Sequence, residues 1–267
     1  MATSKRRRSP KGEDPTQELC QLAMDLDLVA IHERLPDLLK QAVEQQQSFS
    51  DFALALLRLE VSRRDDRRLA RNLHRSGLAK SREGLEDFDF TARPGLEPRV
   101  VRELLNCHWL EPGRRHNIVC VGKPGRGKTR VLDACGRAAL KAGFSVLRVL
   151  TAEMLEDLHA ALADGTFRRA LRRYTKPDVL IMEEFGYAPF DAKATNHLFR
   201  VVSKRHEADA PILVAANTGF TAWKTFFPSE AQAVATVDRL IDKAVILRFA
   251  GRGWRDPAAV HGKELDD

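Results

Sequence analysis

A glycine-rich segment near the middle of the chain has the residue types and the spacing needed to hold phosphate groups. Residues 122–129 match the pattern G-x-x-x-x-G-K-[ST] at every position. Glycines permit backbone angles that are closed to other residues, so main-chain amides can approach phosphate oxygens closely. We expect Lys128 to neutralise the β- and γ-phosphates of ATP and the Thr129 hydroxyl to bind Mg²⁺. The predicted nucleotide-binding residues are Gly122, Lys123, Pro124, Gly125, Arg126, Gly127, Lys128, Thr129 and Arg130.

Two consecutive carboxylates follow an apolar run farther along the chain. Residues 179–182 predict a buried strand, and Glu183 and Glu184 come directly after it. Charges at the tip of a buried strand are costly unless they are exposed or used. Beside a phosphate loop, a role near Mg²⁺ is favoured over a pair of solvated carboxylates. Asn217 ends another apolar strand, where its amide could orient a water or contact a phosphate, although Asn also commonly ends strands in turns.

These residues need a framework that places them together, and the sequence predicts one. Five short apolar runs predict strands, and helical stretches occupy much of the intervals between them. Strands that alternate with helices indicate βαβ units and a parallel sheet covered on both faces. Thr151 is a plausible N-cap for the helix that follows the second strand. The predicted strands are residues 117–121, 145–150, 178–182, 212–216 and 244–249.

The first third of the chain has a different pattern. Residues 1–15 are polar and basic, which is typical of a disordered tail, and residues 16–84 predict a small helical domain. Within residues 58–82, nine Arg or Lys side chains stand against three acids, and several repeat at i, i+4 on one helical face. This face could follow DNA phosphates or could simply be solvated. The residues predicted to bind DNA are Arg64, Arg68, Arg71 and Arg75.

The composition narrows the class of protein further. No apolar run approaches the roughly 18 residues that a membrane span requires, and we expect no secretory signal because no apolar segment follows the basic N-terminus. The four cysteines form no CxxC pair, so we expect reduced thiols in a cytoplasmic protein without a membrane partner. The net charge of +7 over 267 residues favours a nucleic-acid partner, although a solvated basic surface would give the same balance.

Taken in order, these motifs resemble the IstB-like ATP-binding proteins, the transposition helpers of insertion sequences. That family is related to the DnaC and DnaI helicase loaders within the AAA+ ATPases. The resemblance runs from about residue 49 to residue 255. Residues 85–90, Leu-Glu-Asp-Phe-Asp-Phe, look like the family's linker before the phosphate loop, and residues 183–187 resemble its Asp-Glu-Leu-Gly-Tyr motif. Asn217, Phe220 and Trp223 are similar to its Thr-Asn…Phe…Trp stretch.

The resemblance implies roles for individual residues. Glu184 would orient or activate the attacking water, and Asn217, as the first sensor, would help to place it. Glu183 would hold Mg²⁺ through its water shell. Arg239 lies in an Asp-Arg-Leu tripeptide that matches the family's, and it looks like the finger that acts on a neighbouring subunit. Arg255 ends a segment similar to the family's Gly-x-Ser-Tyr-Arg and would be the second sensor.

The resemblance also implies a fold and a function. Residues 85–255 would form an AAA+ α/β domain, preceded by the small basic α-helical domain and followed by a tail at 256–267. The chain would be an ATPase that binds duplex DNA, forms a homo-oligomer with ATP and activates a cognate transposase. One alternative is a DnaC-like helicase loader in DNA replication. Another, from a different class, is an ATP-switched regulatory binder with little hydrolysis.

The sequence departs from the family's pattern in three places. Glu183 stands where the family has Asp, which places the carboxylate one methylene farther out. We therefore expect slow hydrolysis, and from the sequence alone Glu183→Asp should raise turnover. The family's Thr-His-Leu-Ala is Thr-Arg-Val-Leu from Thr129 onward, and Gly-Trp replaces Ser-Tyr before Arg255. By composition alone, Arg239 and Arg255 could be ordinary surface charges.

Overall fold

The computed structural model describes residues 14–81 and 84–251. The chain divides into two compact units, Met1–Ala70 and Arg71–Asp267. The predicted basic tail therefore lies almost wholly outside the described residues, as do the predicted tail at 256–267 and the second-sensor candidate Arg255.

The first unit is helical, as the apolar periodicity predicts. Its helices are α1 (Pro15–Asp25), α2 (Val29–Glu44) and the first part of α3 (Phe49–Ser76). The Asp14 carboxylate accepts a hydrogen bond from the Thr16 amide at 3.0 Å, which caps α1. Ala23, Ile31 and Leu35 form a small buried core.

The second unit contains a five-stranded parallel sheet, which confirms the predicted α/β fold. The strands are β1 (Ile118–Val121), β2 (Val146–Leu150), β3 (Val179–Phe185), β4 (Ile212–Ala216) and β5 (Val245–Arg248). Their order in the sheet is β2-β3-β4-β1-β5. The prediction that β3 ends at residue 182 is wrong, because the strand continues through both glutamates to Phe185.

Helices connect and cover these strands. They are α4 (Pro98–Leu105), α5 (Lys128–Lys141), α6 (Thr151–Ala163), α7 (Phe167–Thr175), α8 (Ala192–Glu207), α9 (Phe220–Trp223) and α10 (Glu230–Ile241). Within the described ranges, no helix is both long and apolar enough to cross a membrane.

The start of α6 differs from the prediction. Thr151 is the first helical residue and Leu150 occupies the N-cap position, where no side-chain capping bond forms. The Thr151 hydroxyl instead donates to the Glu183 carbonyl at 2.7 Å. A threonine whose hydroxyl is hydrogen-bonded to the neighbouring strand is not available to cap its own helix.

Helix α5 lies close against one face of the sheet. A Cβ atom on Gly136 would lie 2.7 Å from Ile181 Cδ1, so a larger residue there would have to displace the Ile181 side chain. On the other side of the sheet, buried residues of α6, α8 and α10 form one core with Met182, Phe185 and Trp223. The sheet is therefore covered on both faces, and its strand ends present the candidate site.

Candidate functional site

The glycine-rich loop joins β1 to α5 in a conformation that requires its glycines. Gly122 and Gly127 have φ angles of 150° and 92°. A Cβ atom on Gly122 would lie 2.3 Å from the carbonyl oxygen of Phe249, and one on Gly127 would lie 2.6 Å from Phe88 Cε2. Neither position accepts a side chain without moving the backbone or a packed ring.

Lys128, the first residue of α5, is almost fully buried within this loop. Its Nζ atom donates to the carbonyl oxygens of Gly122 at 2.5 Å and Lys123 at 2.9 Å. Burial lowers the pKa of Lys128, while the nearby Glu183 carboxylate favours its charged form. The loop thus holds a cation at a helix N-terminus, where anions are also favoured by exposed amides and by the helix dipole.

Thr129 and Glu183 meet at the edge of the sheet. The Thr129 hydroxyl donates to Glu183 Oε2 at 2.6 Å, although 54 residues separate them in sequence. Glu183 is 3% exposed, and its Oε1 atom has no hydrogen-bond partner among the described residues. Burial raises the pKa of Glu183, and the bond from Thr129 opposes that shift.

This pair fits a magnesium ion. A hydroxyl and a carboxylate supply the hard oxygen ligands that Mg²⁺ prefers, and the unpartnered buried Oε1 has capacity to accept. Among the described residues, no group of three or more His, Cys, Asp or Glu could hold a metal ion by itself. An ion at Thr129 and Glu183 would therefore complete its shell with water and phosphate oxygens, the usual arrangement for Mg²⁺.

Glu184 follows Glu183 at an irregular point in β3. It has a positive φ of 54°, and the pairing register with β4 shifts between Met182 and Phe185. Such bulges occur beside active sites, where they redirect a side chain out of the strand's alternation. Glu183 is consequently buried while Glu184 is exposed, although the two are adjacent. Two neighbouring carboxylates thus have different surroundings and can carry different tasks.

One cavity brings together residues from the three predicted segments. Its volume is about 540 Å³, and it is lined by Pro124 to Arg130 of the loop, by both glutamates and by Asn217 at the end of β4. This volume lies within the range of small-molecule sites. Gly122 and Lys123 do not line the cavity, and their carbonyl oxygens instead accept the bonds from Lys128.

The linker before the loop also lines this cavity, which sequence reasoning missed. Asp87, Phe88 and Asp89 contribute to its wall. Phe88 packs against Gly127, while Arg130 forms an ion pair with Asp87 and places its guanidinium carbon 5.8 Å from the centroid of the Phe88 ring. The family-like Leu-Glu-Asp-Phe-Asp-Phe stretch was the available signal, but it does not reveal that the segment folds back onto the loop.

An ionic cluster beside Thr129 was missed as well. Arg148 on β2 places its Nε atom 2.9 Å from Asp133 Oδ1 and 3.9 Å from Glu183 Oε1. Burial raises the pKa of Asp133 to about 6, and Arg148 opposes the shift. The available signal for Asp133, which also lines the cavity, was its position one helical turn after Thr129.

Arg239 lies elsewhere and does not line the nucleotide cavity. Its Nη1 atom donates to the Ala235 carbonyl at 2.6 Å, and its guanidinium carbon is 5.0 Å from the Phe199 ring centroid. Asn117, just before β1, donates to the Arg239 carbonyl at 3.1 Å, so this residue lies at the end of β1 opposite the loop. No carboxylate within the described ranges forms an ion pair with Arg239, so pairing with Asp238 or Asp242 does not occur.

The predicted DNA-binding residues all lie on α3 and are exposed. Their spacing of four, three and four residues places them in one stripe along the helix. Arg64 is partly engaged, because its Nε atom lies 3.5 Å from the buried Glu60 carboxylate. The four residues are Arg64, Arg68, Arg71 and Arg75.

Comparisons with known proteins agree with this geometry. The sequence model of the family described as "IstB-like ATP binding protein" matches residues 21–259. The IS5376 putative ATP-binding protein of Geobacillus stearothermophilus is 31% identical over 230 residues, which cover 86% of this chain and 90% of that protein. The IS21 putative ATP-binding protein of Pseudomonas aeruginosa is 31% identical over 238 residues, covering 89% and 88%.

Among solved structures, the fold is similar to that of DnaI. The TM-score is 0.55 at 18% sequence identity, and the match covers 65% of this chain and 93% of that one. At this level of identity the similarity concerns the fold alone.

Proposed function

Because this chain belongs to the family of IstB-like ATP-binding proteins, we propose that it is a DNA-binding ATPase that assists transposition. It would form a homo-oligomer on duplex DNA in its ATP state and then activate a cognate transposase. The contact between Thr129 and Glu183 carries the proposal, because it joins the phosphate loop to a buried carboxylate at the cavity. A cytoplasmic location belongs to the same proposal.

Five residues of the cavity would each have a task in ATP hydrolysis. Lys128 would leave its two carbonyl partners to meet the β- and γ-phosphates. Thr129 and Glu183 would hold Mg²⁺, which neutralises phosphate charge when bound. Glu184, exposed at its bulge, would accept a proton from the attacking water or orient it. Asn217 would position that water through its amide.

Arg239 would serve the site of a neighbouring subunit. Its distance from its own cavity and the lack of an acidic partner among the described residues support this role, because a finger must engage phosphate across an interface. To do so, its guanidinium would leave the Ala235 carbonyl. Hydrolysis would then require assembly, which suits a protein that acts only when gathered on DNA.

The DNA contact is proposed for the arginine stripe on α3. Its four exposed guanidinium groups recur every three or four residues, so they can contact successive phosphates. A second basic surface lies on α7, where Arg168, Arg169, Arg172 and Arg173 are exposed. It provides a matched comparison, since both surfaces offer four arginines on a helix.

The test measures ATP binding, ATP turnover and assembly with one preparation. We expect calorimetric binding of ATP, turnover that rises when duplex DNA is added, and ATP-dependent oligomers on DNA in electron micrographs. Absence of ATP binding would contradict the site assignment. Binding and assembly without turnover would favour the ATP-switched regulatory binder, for which the change at Glu183 is the motivating observation.

The identity of the partner protein distinguishes a transposition helper from a helicase loader. We expect this chain's DNA complex to stimulate strand transfer by its cognate transposase. Retention of a replicative helicase by the same complex, with no effect on strand transfer, would favour the loader.

A further inference from the structure

Three charged side chains, two buried carboxylates and a partly exposed arginine, form a cluster beside the proposed magnesium site. Arg148 lies between Asp133, at 2.9 Å, and Glu183, at 3.9 Å. We propose that Arg148, held in place by Asp133, is a positioning residue that fixes the Glu183 carboxylate for Mg²⁺. The inference rests on the proposed nucleotide-binding function, and it adds two residues that neither the motif nor the family comparison assigns.

The fold brings these residues together through two periodicities. Arg148 on β2 pairs with Ile181 on β3, and Glu183 follows two residues later, so Arg148 and Glu183 lie on the same face of the sheet. Helix α5 packs on that face, as the close approach of Gly136 to Ile181 shows. Thr129 and Asp133 are four residues apart on α5 and therefore share one side of it.

The opposite charges in this cluster stabilise one another. Asp133 and Glu183 are both less than 5% exposed, and a buried carboxylate without a cation is strongly disfavoured. Two such groups side by side would also repel each other. The guanidinium between them offsets both charges, so the cluster tolerates burial where an isolated pair of acids would not.

The unequal distances from Arg148 to the two carboxylates leave Glu183 able to bind a metal ion. Arg148 Nε lies 2.9 Å from Asp133 Oδ1 and forms an ion pair with it, although neither atom makes a hydrogen bond within the described residues. The 3.9 Å from Arg148 Nε to Glu183 Oε1 is too long for a hydrogen bond. The positive charge of Arg148 therefore stabilises the Glu183 carboxylate electrostatically. The lone pairs of Glu183 Oε1 stay available, since this atom has no hydrogen-bond partner among the described residues. Without Asp133, the guanidinium would be free to close onto Glu183 and compete with the ion.

The test measures how Mg²⁺ tightens the binding of a non-hydrolysable ATP analogue. Calorimetry over a series of Mg²⁺ concentrations gives the half-saturating concentration, and a titration in EDTA gives metal-free affinity. We expect Arg148→Gln to raise the half-saturating Mg²⁺ by about tenfold or more, as changes to partners of metal ligands commonly do. Affinity in EDTA should change by less than about twofold. Arg148→Lys should recover part of the loss, because it keeps the charge.

Controls separate positioning from a general effect of charge. Arg99→Gln removes an exposed arginine that lies 3.0 Å from Glu103 on α4, and it should leave the Mg²⁺ response unchanged. Asp133→Asn keeps the cation but removes its anchor, and it should shift the response in the same direction as Arg148→Gln. Thermal unfolding without nucleotide verifies that each variant is folded. If Arg148→Gln does not fold, the Mg²⁺ response of Asp133→Asn is used to test the inference in its place.

A double-variant cycle gives the deciding result. If Arg148 acts through Glu183, Arg148→Gln should have no further effect on the Mg²⁺ response in a Glu183→Gln background. An equal shift in both backgrounds, or no shift in the wild-type background, overturns the inference. A wild-type chain whose nucleotide binding does not respond to Mg²⁺ would instead contradict the proposed function itself.

Discussion

Shortening Glu183 to Asp tests whether the site is built for the longer side chain. The sequence alone predicts that Glu183→Asp raises turnover, because the family has Asp at this position. The contacts in the structure point in the other direction. Glu183 Oε2 already lies 2.6 Å from the Thr129 hydroxyl, and Oε1 lies 3.9 Å from Arg148. The carboxylate fits its surroundings at its present length.

The size of the effect follows from the geometry. Removing one methylene retracts the carboxylate by about 1.5 Å, the length of a carbon–carbon bond. The distance to Thr129 would grow to about 4 Å, which is beyond hydrogen-bond range. A hydrogen bond to a charged group contributes about 1.5–3 kcal/mol, and every 1.4 kcal/mol added to the activation free energy lowers the rate about tenfold. We therefore expect Glu183→Asp to lower turnover by about 10- to 100-fold.

The assay is steady-state ATP hydrolysis at saturating Mg²⁺ and DNA, with ATP affinity in EDTA measured in parallel. Affinity in EDTA should be nearly unchanged, because the contact involves the metal site and not the phosphates. Glu156→Asp makes the same chemical change at an exposed position on α6 and should leave turnover unaffected. Turnover equal to or above that of the wild type would refute this reasoning and restore the expectation from the sequence.

Four further predictions concern separate parts of the molecule. Lys128→Ala should weaken ATP binding by about 100-fold or more, because it removes the loop's buried cation; unchanged calorimetric affinity would overturn the site. Replacing the four α3 arginines with Gln should lower the salt slope of duplex binding by up to about 3.6, against no change for the four on α7; an unchanged slope means that the α3 stripe is solvated. Arg239→Ala should lose about 10³-fold or more in turnover and regain part of it when mixed with Lys128→Ala chains; mixed oligomers without recovery would exclude a finger in trans. Burial raises the pKa of Asp133 from 3.8 to about 6, so between about pH 4 and 6 the folded chain holds a proton that the unfolded chain has lost. The unfolding free energy of the wild type should therefore fall by about 1–3 kcal/mol, relative to Asp133→Asn, as the pH rises through this window. Parallel pH profiles of the two proteins would contradict this prediction.

The sequence predicted those parts of the site that are determined locally. The phosphate loop is contiguous, and its glycines are needed for its own backbone angles, so the motif indicates the geometry directly. The five apolar runs predicted the strands because a parallel sheet covered on both faces needs apolar residues at nearly every position.

Other features could not be predicted because they depend on packing between distant segments. The length of β3 was underestimated since a glutamate inside a strand is tolerated only where Thr129 and Arg148 meet it. Arg148 itself lies within a largely apolar strand, where its role depends on register with Ile181. Thr151 resembles a cap by type, but its hydroxyl is used by the neighbouring strand.

The strand order also constrains how the chain acquires its site during synthesis. β1, which leads into the phosphate loop, has β4 and β5 as its neighbours, and among the strands of the described residues these two are made last. A chain emerging from the ribosome therefore exposes an apolar β1 strand and an unsupported loop until residue 212 and beyond have been translated. Fragments that stop earlier should not retain nucleotide, because the loop has no sheet to hold it. Competence to bind ATP would thus report that translation of the domain is nearly complete.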